Sequence, residues 1–148
     1  MTLDGTAKKI AKVLAAITTL YHVYIGFFGI TKPLANYTVT LSLLMSLVFI
    51  YVPLNKKEKK VSIIDVILAL LSLVVGAYVY LNYDTISTRP TLIGEVTNIE
   101  LLLGVAAILL VLESTRRTIG MPLVYIAVFF LFYAYFGKYV PGMFSHSG

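Results

Sequence analysis

Chemistry at a protein site needs side chains that ionise, coordinate or attack, and this 148-residue chain has few: seven acids, two histidines and no cysteine. Without cysteine there is no disulfide, no thiolate nucleophile and no thiolate metal site. His22 and His146 stand far apart in the chain and make a poor ligand set for a metal. No serine sits in a Gly-x-Ser-x-Gly elbow, and no glycine-rich loop is placed to cradle phosphate. These residues argue against an enzyme and call for no cofactor.

The remaining ionisable residues fall into patterns. Ser62-x-x-Asp65 and Thr97-x-x-Glu100 have capping-box spacing, with each acid near the positive end of a helix dipole. Capping accounts for both acids without a proton-carrying role. Glu113 is different, because it falls at the C-terminal end of an apolar run, where a negative charge opposes the dipole. Arg116 and Arg117 follow it at i+3 and i+4, the spacings at which helical side chains meet. The trio reads as a local ion cluster at a membrane face, or as a docking surface for another helix bundle. His22 lies within an apolar run between Tyr21 and Tyr24. An imidazole in lipid needs a partner, so His22 is expected to face the bundle interior and bond to a neighbouring helix. No acid lies at matching depth to make it a proton relay. His146 belongs to a polar tail and carries no signal.

The elements that must position these residues are membrane helices. Hydrophobic residues make up 59% of the chain and charged ones 13%, and the mean hydropathy is +0.89. Soluble domains are about 45–50% apolar and about 25% charged, so water is not the main solvent here. Five stretches approach the roughly 20 apolar residues that a span requires: Ile10 to Ile30, Tyr37 to Val52, Val61 to Leu81, Ile99 to Leu112, and Thr118 to Phe136. The fourth is short, bounded by Glu100 and Glu113. The fold class is therefore an all-α, polytopic bundle of about five transmembrane helices. Lys8, Lys9 and Lys12 precede the first run in the manner of a signal peptide. That run is longer than an h-region, and Tyr21-His22-Val23-Tyr24 offers no small-residue cleavage site, so the helix is read as retained.

Basic residues set the orientation. With the N-terminus inside, nine of the twelve Lys and Arg fall in inner segments, at positions 8, 9, 12, 56, 57, 59, 60, 116 and 117. Lys32, Arg89 and Lys138 fall outside. The positive-inside rule then places the N-terminus in the cytoplasm and the C-terminus outside. Clusters of this kind between apolar runs mark topology rather than a phosphate-binding stripe, so the expected partner is the bilayer and not nucleic acid. Tyr51, Tyr78, Tyr80, Tyr83, Tyr133, Tyr135 and Tyr139 lie near the expected helix ends, where an amphipathic ring gains from sitting at headgroup level. The longest loop, 82–98, is external, carries Pro90 and Gly94, and is too short to form a domain.

The stretch Leu110-Val-Leu-Glu-Ser-Thr-Arg-Arg-Thr-Ile-Gly120, with Tyr133-Ala-Tyr-Phe-Gly137 and Pro141-Gly142, resembles the N-terminal region of fused TRAP-transporter permeases. Tyr80-Leu-Asn-Tyr-Asp84 and the His22-Val-Tyr segment fit the same family, and Glu113, Arg116, Arg117 and Gly120 are its specific part. Such permeases join a small four-helix subunit to a large transport subunit of about twelve helices. The resemblance implies a four-helix scaffold over 1–113 and a connecting fifth helix over 114–148. It also implies a multi-pass place in the cell inner membrane, within a secondary transporter that is usually sodium-driven and carries organic anions. The implied partners are the large transport subunit or domain and an extracytoplasmic solute-binding protein. Substrate and sodium sites would belong to the large subunit. The chain would be part of a fused permease or a separately encoded scaffold, and an odd number of spans favours the former. Two other readings remain, a self-contained small transporter and an accessory membrane protein. The first generally needs an acid deep in a helix, whereas the acids here sit at helix ends.

Overall fold

Each helix begins and ends where local chemistry dictates. In the computed structural model, which describes residues 5–30, 32–54, 61–89 and 96–136, the first helix is α1, Gly5–Phe28. It stops at Gly29, whose φ of +79° takes the chain out of the helical region at a position open to glycine. Pro33 opens α2, Pro33–Tyr51, at a position where its missing N–H costs nothing, and Pro53 follows shortly after its end. The capping box of Ser62 and Asp65 opens α3, Ile63–Leu81. A short helix, α4, spans Tyr83–Thr88. The box of Thr97 and Glu100 opens α5, Asn98–Thr118. Gly120, with φ +113°, separates it from α6, Met121–Phe136.

The chain is an all-α, multi-pass membrane protein. Among the described residues four helices, α1, α2, α3 and α5, are long and apolar enough to cross a bilayer, and α6 is a shorter apolar helix. At 1.5 Å per residue the four are about 28–36 Å long, against a hydrocarbon core of about 30 Å. The 16 residues of α6 give about 24 Å. Several ends differ from the sequence expectation. α5 runs on to Thr118 rather than stopping at Leu112, because the Glu113–Arg116 and Glu113–Arg117 pairs at i+3 and i+4 stabilise one more turn and a half. α6 starts three residues later than the expected fifth span. The loop after Asn82 begins with the helical turn α4, which the sequence pattern did not show. Lys56, Lys57, Lys59, Lys60, Pro90, Gly94, Gly137, Lys138, Tyr139, Pro141, Gly142 and His146 lie outside the described residues.

The most extensive helix contact joins α2 to α3. Small residues bring the two backbones close: Ser42 and Ser46 on α2, and Ala69, Ser72 and Gly76 on α3, most of them fully buried. A Cβ on Gly76 would overlap Ser42 Oγ. Ser42 donates to Thr38 O at 2.6 Å, and Ser72 donates to Ala69 O at 2.7 Å and across the seam to Ser42 O at 3.3 Å. Small-residue seams of this kind replace the hydrophobic effect as the source of helix association in lipid. α1 packs on α2 and α5 packs across α2 and α3, around a core containing Met45, Phe49, Ile50 and Leu110. Among the described helices α6 makes close backbone contact with α5 alone.

Candidate functional site

The lysine-rich end of the bundle, where α2 finishes, α3 begins and α5 finishes, holds a network of four charged side chains. Three local facts create it. Helix α2 presents unsatisfied carbonyls at its C-terminus, which favour a cation. Helix α3 presents unsatisfied N–H groups at its N-terminus, which favour an anion. The last two turns of α5 carry Glu113, Arg116 and Arg117 beside both. Asp65 takes the α3 position, accepting from Ser62 N at 2.9 Å and from Leu54 N at 3.2 Å. Arg117 reaches in from α5, donating through Nη1 to Asp65 Oδ1 at 2.6 Å and to Val52 O at 3.1 Å. Its Nε donates to Glu113 Oε1 at 2.8 Å, and its guanidinium lies 5.0 Å from the Phe49 ring centroid. Lysine could not reproduce this, because only a planar fork meets two carboxylates and a carbonyl while stacking on a ring.

Burial separates the members of the network. The Arg117 and Asp65 side chains are 2% and 0% exposed, whereas Arg116 is 43% exposed and holds Glu113 through bonds of 2.7 and 2.8 Å. The sequence-predicted trio is therefore brought together but divided in role. Arg117 points into the bundle and ties α5 to α3 and α2, which removes it from any docking surface. Arg116 and the outer edge of Glu113 remain accessible. Gly120 lies two residues beyond α5, and its positive φ turns the chain from α5 into α6.

The sequence reading missed the second role of Asp65. It caps α3 as its spacing predicts and also neutralises an arginine 52 residues away. A signal for this existed, since Asp65 opens one span and Arg117 closes another at the same membrane face. His22 is a correction. It is exposed on the outside of α1, and its Nδ1 lies 2.7 Å from Thr18 O of its own helix. The i−4 carbonyl accepts from Nδ1, so this end of the ring is bonded within α1 rather than to a neighbouring helix. The polar contact between α1 and α2 comes from the adjacent residue, Tyr21, which donates to Asn36 Oδ1 at 2.9 Å.

The opposite end carries two further pairs. Arg89 donates in bidentate fashion to Glu100 at 2.8 and 2.9 Å, joining the end of α4 to the start of α5. The bond to that carboxylate raises the Arg89 guanidinium further above its ordinary pKa. Lys32 lies 3.3 Å from Asp84 and stacks on Tyr83. Each acid among the described residues is thus paired with a cation at one end of the bundle or the other. Among the described residues no cluster of three His, Cys, Asp or Glu could hold a metal. Comparison with protein-family models, curated proteins and solved structures gives no match to this chain.

Proposed function

We propose that this chain is a membrane scaffold, without enzymatic activity, for a larger helical transport subunit or domain. The observation that carries the reading is α6. It is an apolar helix with no buried residue, and among the described helices it makes close backbone contact with α5 alone, which leaves surface for another protein to cover. The ion pairs support a static frame rather than a carrier. A transporter that works alone needs a polar site near mid-membrane, and the described carboxylates instead pair with arginine or lysine at the helix ends.

The kind of transporter rests on the resemblance of residues 110–120 and 133–142 to fused TRAP permeases. On that basis the complex is a binding-protein-dependent, sodium-coupled symporter of organic anions in the cell inner membrane, served by an extracytoplasmic solute-binding protein. The orientation is N-terminus cytoplasmic. The bundle supports it by grouping Lys8, Lys9, Lys12, Arg116 and Arg117 at one end and Lys32 and Arg89 at the other. Reconstituted by itself in liposomes, the chain should show no sodium-dependent uptake of organic acids. Robust uptake by the chain alone, lost on His22→Ala, would overturn the scaffold reading.

A further inference from the structure

A groove runs between α1 and α3 with α2 as its floor, apart from both the ion network and α6. It encloses about 650 Å³ between Ile10, Val13 and Leu14 of α1 and Val66, Leu70 and Leu73 of α3. It exists because α1 packs on α2 and makes no close backbone contact with α3. Its volume is within the roughly 300–1,000 Å³ of small-ligand pockets.

Two polar features say what would fill it. Lys9 stands in the wall at the lysine-rich end, with Lys8 and Lys12 exposed on the neighbouring turns of α1. Among the described residues none of the three is paired with an acid. Ser46 lines the floor, is 0% exposed, and its Oγ has no hydrogen-bond partner among the described residues. Thr38 and Ser42 on the same helix, by contrast, donate to carbonyls four residues back. Ser46 lies five residues before Tyr51, which places it about 8 Å inside the end of α2. Cation, buried donor and apolar slot therefore succeed one another with depth, as do phosphate, ester and acyl chain in a phospholipid.

We propose that this groove binds one anionic phospholipid, with its phosphate on Lys9, an ester oxygen accepting from Ser46 Oγ, and an acyl chain between Val13, Leu14, Leu70 and Leu73. A basic residue beside a slot between membrane helices is a recurrent headgroup site. The proposal does not depend on the transport reading.

The test is native mass spectrometry of the full chain released from vesicles of equal phosphatidylglycerol and phosphatidylcholine. The wild type should retain phosphatidylglycerol in preference. Lys9→Gln should lower that preference about fivefold, the factor equivalent to the roughly 1 kcal/mol of one lysine near an anionic surface. Lys32→Gln, at the opposite end, should leave it unchanged, and Val13→Trp, which fills the slot, should reduce retention of both lipids. Equal retention of the two lipids by the wild type would overturn the proposal, as would an undiminished preference in Lys9→Gln. Efficient cross-linking of Val13→Cys to a second copy would also overturn it, by assigning the groove to protein rather than lipid.

Discussion

Replacing Arg117 by methionine removes the guanidinium but keeps a long side chain against Phe49. In the wild type the four-residue network is neutral, with Asp65 and Glu113 set against Arg116 and Arg117. Methionine at 117 leaves two carboxylates facing one guanidinium, and the fully buried Asp65 loses its 2.6 Å bond. Removing one partner of a buried pair costs about 3–5 kcal/mol. Asp65 would still accept from Ser62 N and Leu54 N, so the expected loss is at the low end, about 3 kcal/mol. Asp65→Asn should cost a similar amount, because Arg117 keeps Glu113 and Val52 O. The double variant should cost far less than the sum, since two neutral side chains leave no uncompensated charge. Unfolding in mixed dodecylmaltoside and dodecylsulfate micelles, followed by circular dichroism, measures all three. Single variants within about 1 kcal/mol of wild type, the level of an exposed pair, would refute the reasoning. A double variant equal to the sum of the singles would also refute it.

Glu113→Gln removes an acid whose side chain is 24% exposed and should cost only about 1 kcal/mol, because Arg117 keeps its bond to Asp65, measured in the same titration. Gly76→Ala places a Cβ against Ser42 Oγ, and overpacking of this kind should cost about 1–3 kcal/mol; a variant as stable as wild type would mean that the α2–α3 seam is looser than described. Gly120→Val forces a β-branched residue to φ +113° and should cost at least about 1–2 kcal/mol, read as weakened protection from proteolysis between α5 and α6. Single cysteines at Lys8 and Thr88 should label from opposite sides of the membrane with an impermeant thiol reagent, Thr88 from outside. Labelling of both from one side would remove the proposed topology.

The parts of the fold legible in the sequence were those set by local rules. Apolar runs located the spans, and Ser62/Asp65 and Thr97/Glu100 located two helix starts, because capping depends on three residues' spacing. The Glu113 pairs were legible for the same reason. What was not legible depends on which residues face each other across the bundle. Asp65 and Arg117 each have a sufficient local explanation, as cap and as topology signal, so neither demands its distant partner. His22 was expected to face inwards because an imidazole in lipid needs a partner, yet its Nδ1 finds one in Thr18 O within α1. The Ser42, Ser46, Ser72 and Gly76 seam follows small residues at i+3 and i+4 spacing, but such a stripe does not say which other helix it packs against.

The scaffold claim rests on another protein covering α6, and a photo-crosslinking residue at Phe129, which is exposed on that helix, tests it most directly in native membranes. A second probe at Val23, exposed on α1, serves as the reference position. The Phe129 probe should form a defined cross-link to a large multi-helix membrane protein, or to a transport segment of the same polypeptide, identified by peptide mass spectrometry. The Val23 probe should not form that product. Only lipid adducts at Phe129, at the same level as at Val23, would contradict the scaffold claim.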